Sequence, residues 1–169
     1  MRNLFSRIIR SWGTAPAFDM AGYLWMAGMF GVLAGLQSDK VGLFLVPPFG
    51  ATLSILLLLP DATIAQPYAL IVGSVAGASV GTIISLFTRG LGMAVLAAVV
   101  AFGVINLIRA YHPPGVALAI YPILLHPGNW FPLRVVLSFT VIAVGSAALL
   151  SKLVEKWPAY PKALGKNPV

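Results

Sequence analysis

Apolar residues in this chain come in long runs rather than in the one-sided stripes of a soluble helix, and most charged residues fall between or beyond them. Four runs, Met20–Gln37, Pro67–Phe87, Leu91–Ile108 and Leu133–Leu153, approach the roughly 20 residues that a helix needs to cross hydrocarbon. Two further runs are as apolar but broken: V-G-L-F-L-V-P-P-F-G-A-T-L-S-I-L-L-L-L-P (Val41–Pro60) and Y-H-P-P-G-V-A-L-A-I-Y-P-I-L-L (Tyr111–Leu125). After each proline pair only about ten to thirteen residues of helix former remain, too few to cross unaided. The pattern predicts an all-α, polytopic transmembrane helix bundle with two Pro/Gly-broken segments, re-entrant or discontinuous. Gly28, Gly31 and Gly35 in the first run, and Gly73, Gly77 and Gly81 in the second, are spaced to let helix backbones approach closely in lipid.

The broken segments align with each other at an offset of 65 residues. Pro48 meets Pro113, Gly50 meets Gly115, Leu53 meets Leu118, Ile55 meets Ile120, Leu59 meets Leu124 and Pro67 meets Pro132. Leucine matches come cheaply in this composition, but paired prolines and glycines do not. An internal repeat is therefore expected, with halves at about 20–87 and 91–153. Matched interruptions in two halves point to a transporter's binding site, because broken backbone at membrane depth persists only where protein buries it or a polar cavity lies beside it.

Composition strengthens the membrane reading. Of 169 residues, 59% are hydrophobic and 9% charged, against roughly 25% charged in a soluble domain. Residues 20–153 form one transmembrane domain, between an N-terminal segment (1–19) read as a cytoplasmic interfacial helix and a basic cytoplasmic tail (154–169). The net charge of +7 sits mostly in those tails, at Arg2, Arg7, Arg10, Lys152, Lys156, Lys162 and Lys166, so it marks cytoplasmic ends and not a nucleic-acid surface. With re-entrant segments there are four crossings and parallel repeats; with full passage there are six crossings and inverted repeats. Arg89 and Arg109 trade sides between these cases and the Lys/Arg count stays eight to three. Both place the termini in the cytoplasm, in a bacterial inner membrane or a plastid-type membrane. The chain has no cysteine, which excludes disulfides and thiolate chemistry.

The candidate chemistry lies at the interruptions. Proline suits a helix's first turn, so helices should start at Pro47-Pro48 and Pro113-Pro114, leaving unpaired N–H groups and a partial positive charge at each start. Two such starts facing each other would hold an anion. Gly50 and Gly115 would let it approach the backbone, and Thr52 could donate a hydroxyl. Arg109 is either a fixed positive charge for the anion or an arginine reaching a headgroup. His112 either titrates with transport or orients the turn through a neutral nitrogen. Asn106, one turn before Arg109, either shares the cavity or bonds between helices. Asp19, Asp39, Asp61 and Glu155 all fall at span ends or in tails. Pathways for cations usually rely on carboxylates inside the membrane, so the inventory favours an anion. No nucleophile–base pair, metal-ligand cluster or carboxylate pair is present, so neither an enzyme, a metal site nor a cofactor is expected.

His112-Pro113-Pro114, Pro48-Phe49-Gly50-Ala51, Ala65-Gln66-Pro67 followed by Gly73, and Arg109 three residues before the histidine resemble the HPP family of integral membrane proteins over roughly Met20 to Leu153. Members of that family in cyanobacteria and plastids are associated with nitrite transport. The resemblance implies a transporter of a small monovalent inorganic anion, nitrite-like. The alternatives are an anion or small-solute channel and a non-transporting membrane scaffold or accessory subunit. The expected partners are the anion, the lipid bilayer and further copies of the chain, as a homo-oligomeric dimer or trimer, with no nucleic acid.

Overall fold

A computed structural model describes residues 20–35 and 47–162; the expected N-terminal interfacial helix, the last residues of the first run, the start of the first broken segment and the end of the basic tail lie outside them. The described elements are all helical. They are α1 (Met20–Gly35), α2 (Pro47–Leu58), a 3-10 turn (Thr63–Ala65), α3 (Pro67–Phe87), α4 (Leu91–Leu107), α5 (Pro113–Leu118), α6 (Ile120–Leu125), and a π turn (Pro132–Leu137) that runs into α7 (Ser138–Leu153).

Two of the four expected spans have membrane-crossing length here: Pro67–Phe87, with 21 residues, and Pro132–Leu153, with 22. α4 stops one residue before its predicted end, and the reason is local. Arg109 adopts the left-handed conformation (φ 55°). The Arg109 N–H donates to the Asn106 carbonyl and the Ala110 N–H to the Ile105 carbonyl, the paired bonds that close a helix C-terminus. Glycine usually takes this place, because a side chain there costs about 1 kcal/mol or more. The chain reverses at this turn and descends as α5.

α3 is the axis of the bundle. One side receives Ala94, Ala97, Ala101 and Ile105 of α4, with Ala119 and Ile123 closing the same cluster. The other side meets a core of Phe49, Leu53, Leu56, Leu118, Phe139 and Ala143, which Trp25, Met29 and Leu33 of α1 join. Phe49 of α2 packs on Phe139 of α7 with ring centroids 4.5 Å apart.

The third face of α3 carries the glycines. A Cβ placed on Gly73 would strike the Ala110 carbonyl, one on Gly77 the Gly115 carbonyl, and one on Gly81 the Ala119 carbonyl. These pairings rise together, so α3 and α5 run parallel in backbone contact. Ile123 lies with Ala94 and Ala97 at the start of α4. The stretch from Ile108 to Leu125 thus passes from the level where α3 begins to the level where it ends. It is discontinuous and does not turn back to the end it came from. Its break at Ala119 follows from Pro122, which has no N–H for the Leu118 carbonyl four residues earlier.

α2 joins α3 through a short connection and runs opposite to it, hence opposite to α5. α7 also finishes at the α3-start end. There Trp157 packs edge-on against Trp25 at 5.5 Å, the Tyr160 hydroxyl donates to the Ala65 carbonyl at 2.8 Å, and the Lys162 N–H donates to Gln66 Oε1 at 3.2 Å.

Candidate functional site

Where α2, α3 and α5 cross, two side chains 60 residues apart meet in the interior. Thr52 Oγ1 lies 2.9 Å from His112 Nε2, and both residues are fully buried. On the other side of the ring, His112 Nδ1 lies 2.8 Å from the Ile64 carbonyl in the 3-10 turn. A carbonyl only accepts, so Nδ1 carries the hydrogen. In the neutral imidazole Nε2 is then an acceptor and the Thr52 hydroxyl donates to it. Two separate elements therefore fix the ring from its two sides: the second turn of α2 and the turn leading into α3. Gly73 passes so close that a Cβ there would come within 3.1 Å of His112 Cβ. Gly73 lies six residues into α3, so the ring sits about 9 Å from that helix's start at 1.5 Å per residue.

The start of α5 is less open to an anion than the sequence suggests. Pro113 and Pro114 have no N–H, and the Gly115 N–H donates to the His112 carbonyl at 2.9 Å. Three of the four backbone donors that a helix start leaves free are thus absent or used. At this crossing the polar character belongs to side chains.

Of the residues expected at the site, Thr52, His112 and Gly115 come together here. Gly115 is buried against Gly73 and Ser74. Pro48 and Pro114 are buried, Pro113 is half-buried and Pro47 is exposed. Gly50, half-buried, faces the Phe30 ring of α1. Asn106 and Arg109 lie elsewhere: both are exposed, and the Asn106 amide donates to the carbonyl of Phe102 in its own helix at 2.7 Å. The left-handed Arg109 ends the helix and turns its side chain to the outside. Sequence reasoning missed two participants. The Ile64 carbonyl is a backbone atom and leaves no trace in residue identities. Ser74, next to Gly73, was not among the expected site residues; it is buried, and its hydroxyl has no hydrogen-bond partner.

A glycine-seamed bundle of apolar helices, two of them of membrane-crossing length, with a polar pair locked at its centre, defines a helical membrane protein. The transmembrane-region model of the HPP family matches residues 9–161, and the chain belongs to that family. It is also 25% identical over 140 residues to a Dictyostelium discoideum protein described as a transmembrane protein, covering 76% of this chain and 44% of that one. The chain thus spans less than half the length of this relative. No solved structure matches it.

Proposed function

We propose that the chain carries a small monovalent inorganic anion, nitrite-like, across the membrane through the crossing of α2, α3 and α5. The observation that carries this reading is the buried Thr52–His112 hydrogen bond, which ties the two proline-started segments together inside an apolar bundle. Polar residues held at depth in a membrane protein are costly and are usually functional.

The bond has two forms, and the difference between them is the mechanism. With His112 neutral, the Thr52 hydroxyl is committed to Nε2. When a proton arrives on Nε2, the ring donates to Thr52 Oγ1, and the hydroxyl hydrogen is free to donate to a ligand. The positive charge so formed is offset by a bound anion, so proton and anion enter together. Ile64 supports this form as well, since Nδ1–H donates to its carbonyl in both states. Asp61 and Glu155, the acidic residues among those described, lie at helix ends and not at the crossing, in keeping with an anion. The complete burial of the pair favours a carrier with an occluded state over an open channel.

Two structural relations support an arrangement of inverted halves with six passages. α2 and α5 run in opposite directions, and helices begin at Pro47-Pro48 and Pro67 in one half and at Pro113-Pro114 and Pro132 in the other. Arg109, Lys152, Lys156 and Lys162 lie toward the α3-start end, with Arg89 and Arg134 at the opposite one. The positive-inside bias makes the first end cytoplasmic and leaves both termini there.

The test is flux of nitrite, nitrate, chloride, formate and bicarbonate into liposomes holding the purified protein, with and without a pH gradient. Saturable, gradient-stimulated nitrite uptake that Thr52→Val abolishes is the expected result. Purified protein inert toward the whole panel would leave a scaffold or accessory subunit as the better reading.

A further inference from the structure

Hydroxyl groups on membrane helices usually donate to a carbonyl three or four residues earlier, and six in this bundle do so. Ser54 donates to Gly50, Thr82 to Ala78, Ser85 to Thr82, Thr140 to Val136, Ser146 to Ala143 and Ser151 to Ala148. Thr52 is bonded to His112. Ser74 departs from this pattern: its Oγ is fully enclosed and bonds to nothing, the one such side-chain atom among the described residues. The Leu70 carbonyl is the acceptor that helical geometry offers it, yet the hydroxyl does not take it. Ser74 sits where α3 touches α5, its Cα 3.2 Å from where a Cβ on Gly115 would lie, one residue from the glycine packed on His112.

We infer that the Ser74 hydroxyl is a direct donor to the transported anion, the partner of the Thr52 hydroxyl that protonation of His112 releases. A buried hydroxyl left without a partner is a penalty that a packed helix seam would not otherwise keep. A ligand held between Ser74 on α3 and Thr52 on α2 would contact both sides of the crossing. The inference rests on the transport reading above and names the residue that would set affinity within it.

The experiment compares wild type, Ser74→Ala and Ser74→Cys, measuring nitrite uptake into proteoliposomes and the rise in melting temperature that nitrite produces in detergent. The expected result for Ser74→Ala is a KM for nitrite raised about tenfold, the effect of one lost hydrogen bond of ordinary strength. Its nitrite-induced rise in melting temperature should be smaller, and its ligand-free melting temperature equal to or above that of wild type. Ser74→Cys, similar in size and a weaker donor, should fall between. Unchanged KM and unchanged nitrite-induced stabilisation in Ser74→Ala would overturn the inference while leaving transport intact. A lower ligand-free melting temperature with unchanged KM would overturn it too, since the hydroxyl would then serve the fold. Wild type that neither takes up nitrite nor is stabilised by it fails the transport reading itself.

Discussion

The chain carries two glycine series of nearly the same spacing, and the fold uses them in opposite ways. Gly73, Gly77 and Gly81 of α3 lie against the backbone of the α5 segment, so closely that a methyl group at any of them would collide with a carbonyl. Gly28, Gly31 and Gly35 of α1 are exposed, with nothing within 4 Å of an added Cβ. α1 attaches through its opposite face instead: Trp25, Met29 and Leu33 are buried, and Trp25 Nε1 donates to Ser146 Oγ at 2.9 Å. Glycine spacing thus marks where a helix can be approached, and the neighbouring element decides whether it is. The α3 seam is closed because α5 is short, starts with two prolines and enters beside α3 at the level of His112. Among the described residues nothing covers the glycine face of α1, and we propose it as the place where copies of the chain would associate.

The largest effect should come from filling the closed seam. Gly77→Val drives a branched side chain into the Gly115 carbonyl, and backbone on both sides leaves nothing to yield. The expected loss is about 3 kcal/mol or more, at the upper end for overpacking, seen as failure to give a monodisperse peak in detergent. Gly31→Ala on α1 should change the melting temperature of the monomer by less than about 0.5 kcal/mol equivalent. If copies pair through α1, the same substitution reduces oligomer mass in light scattering without unfolding the protein. Equal damage at both glycines would break the comparison.

Next in size is the polar pair inside the closed region. Thr52→Val keeps the shape of the side chain and strands His112 Nε2 in the interior, a cost of about 1–3 kcal/mol for a buried group without its partner. The melting temperature should fall and gradient-driven uptake should cease. A Thr52→Ser variant restores the hydroxyl and should recover uptake. A melting temperature unaltered by Thr52→Val would mean the buried pair adds nothing to the seam.

A smaller effect is expected at the edge of the seam, where the C-terminal segment holds the turn that orients His112. Tyr160 donates to Ala65, the neighbour of Ile64, and burial pushes its phenol above the ordinary tyrosine range. Tyr160→Phe should cost about 0.5–1.5 kcal/mol. The proton is favoured in the folded form, so the bond's contribution is complete below pH about 10, the ordinary tyrosine value, and is lost as pH rises beyond it toward the raised folded-state value. The variant should therefore differ from wild type at neutral pH and converge with it in strong alkali, as followed by thermal melts across pH.

How much of this could be read from residues alone depended on whether the determining contact was local. The helix starts at the proline pairs and at Pro67, and the ends at Phe87, Leu125 and Leu153, are set by proline, glycine and polarity within a few residues, and they fall where the pattern puts them. The second broken segment was visible, but not its direction, which depends on α3 and α5 running parallel along the Gly73–Gly81 face. Thr52 and His112 were both candidates from their place beside the proline pairs. Their bond, and the Ile64 carbonyl behind it, join residues 60 and 48 positions apart, which no spacing rule reaches. Arg109 shows the converse: residue type left open a charge for the anion or an arginine reaching a headgroup, and one left-handed residue turns it outward.

Arg109 gives a smaller effect than the buried pair, and it separates those two views of the residue. Its left-handed conformation is one that glycine adopts without cost, so Arg109→Gly should stabilise the fold by about 0.5–1 kcal/mol by relieving the α4 terminus. Arg109→Gln removes the charge and keeps the conformational strain, so its melting temperature should match wild type. With the guanidinium exposed and the Thr52–His112 pair enclosed, both variants should keep most of the wild-type nitrite uptake at physiological ionic strength, where charges exposed to solvent are screened within about 8 Å. At low salt a modest loss shared by both variants would fit an arginine that gathers anions at the α3-start end of the bundle. Loss of uptake at all salt concentrations in Arg109→Gln, with folding unchanged, would mean that the side chain reaches the anion during transport. The open turn at the end of α4 would then have to close over the seam at some point in the cycle.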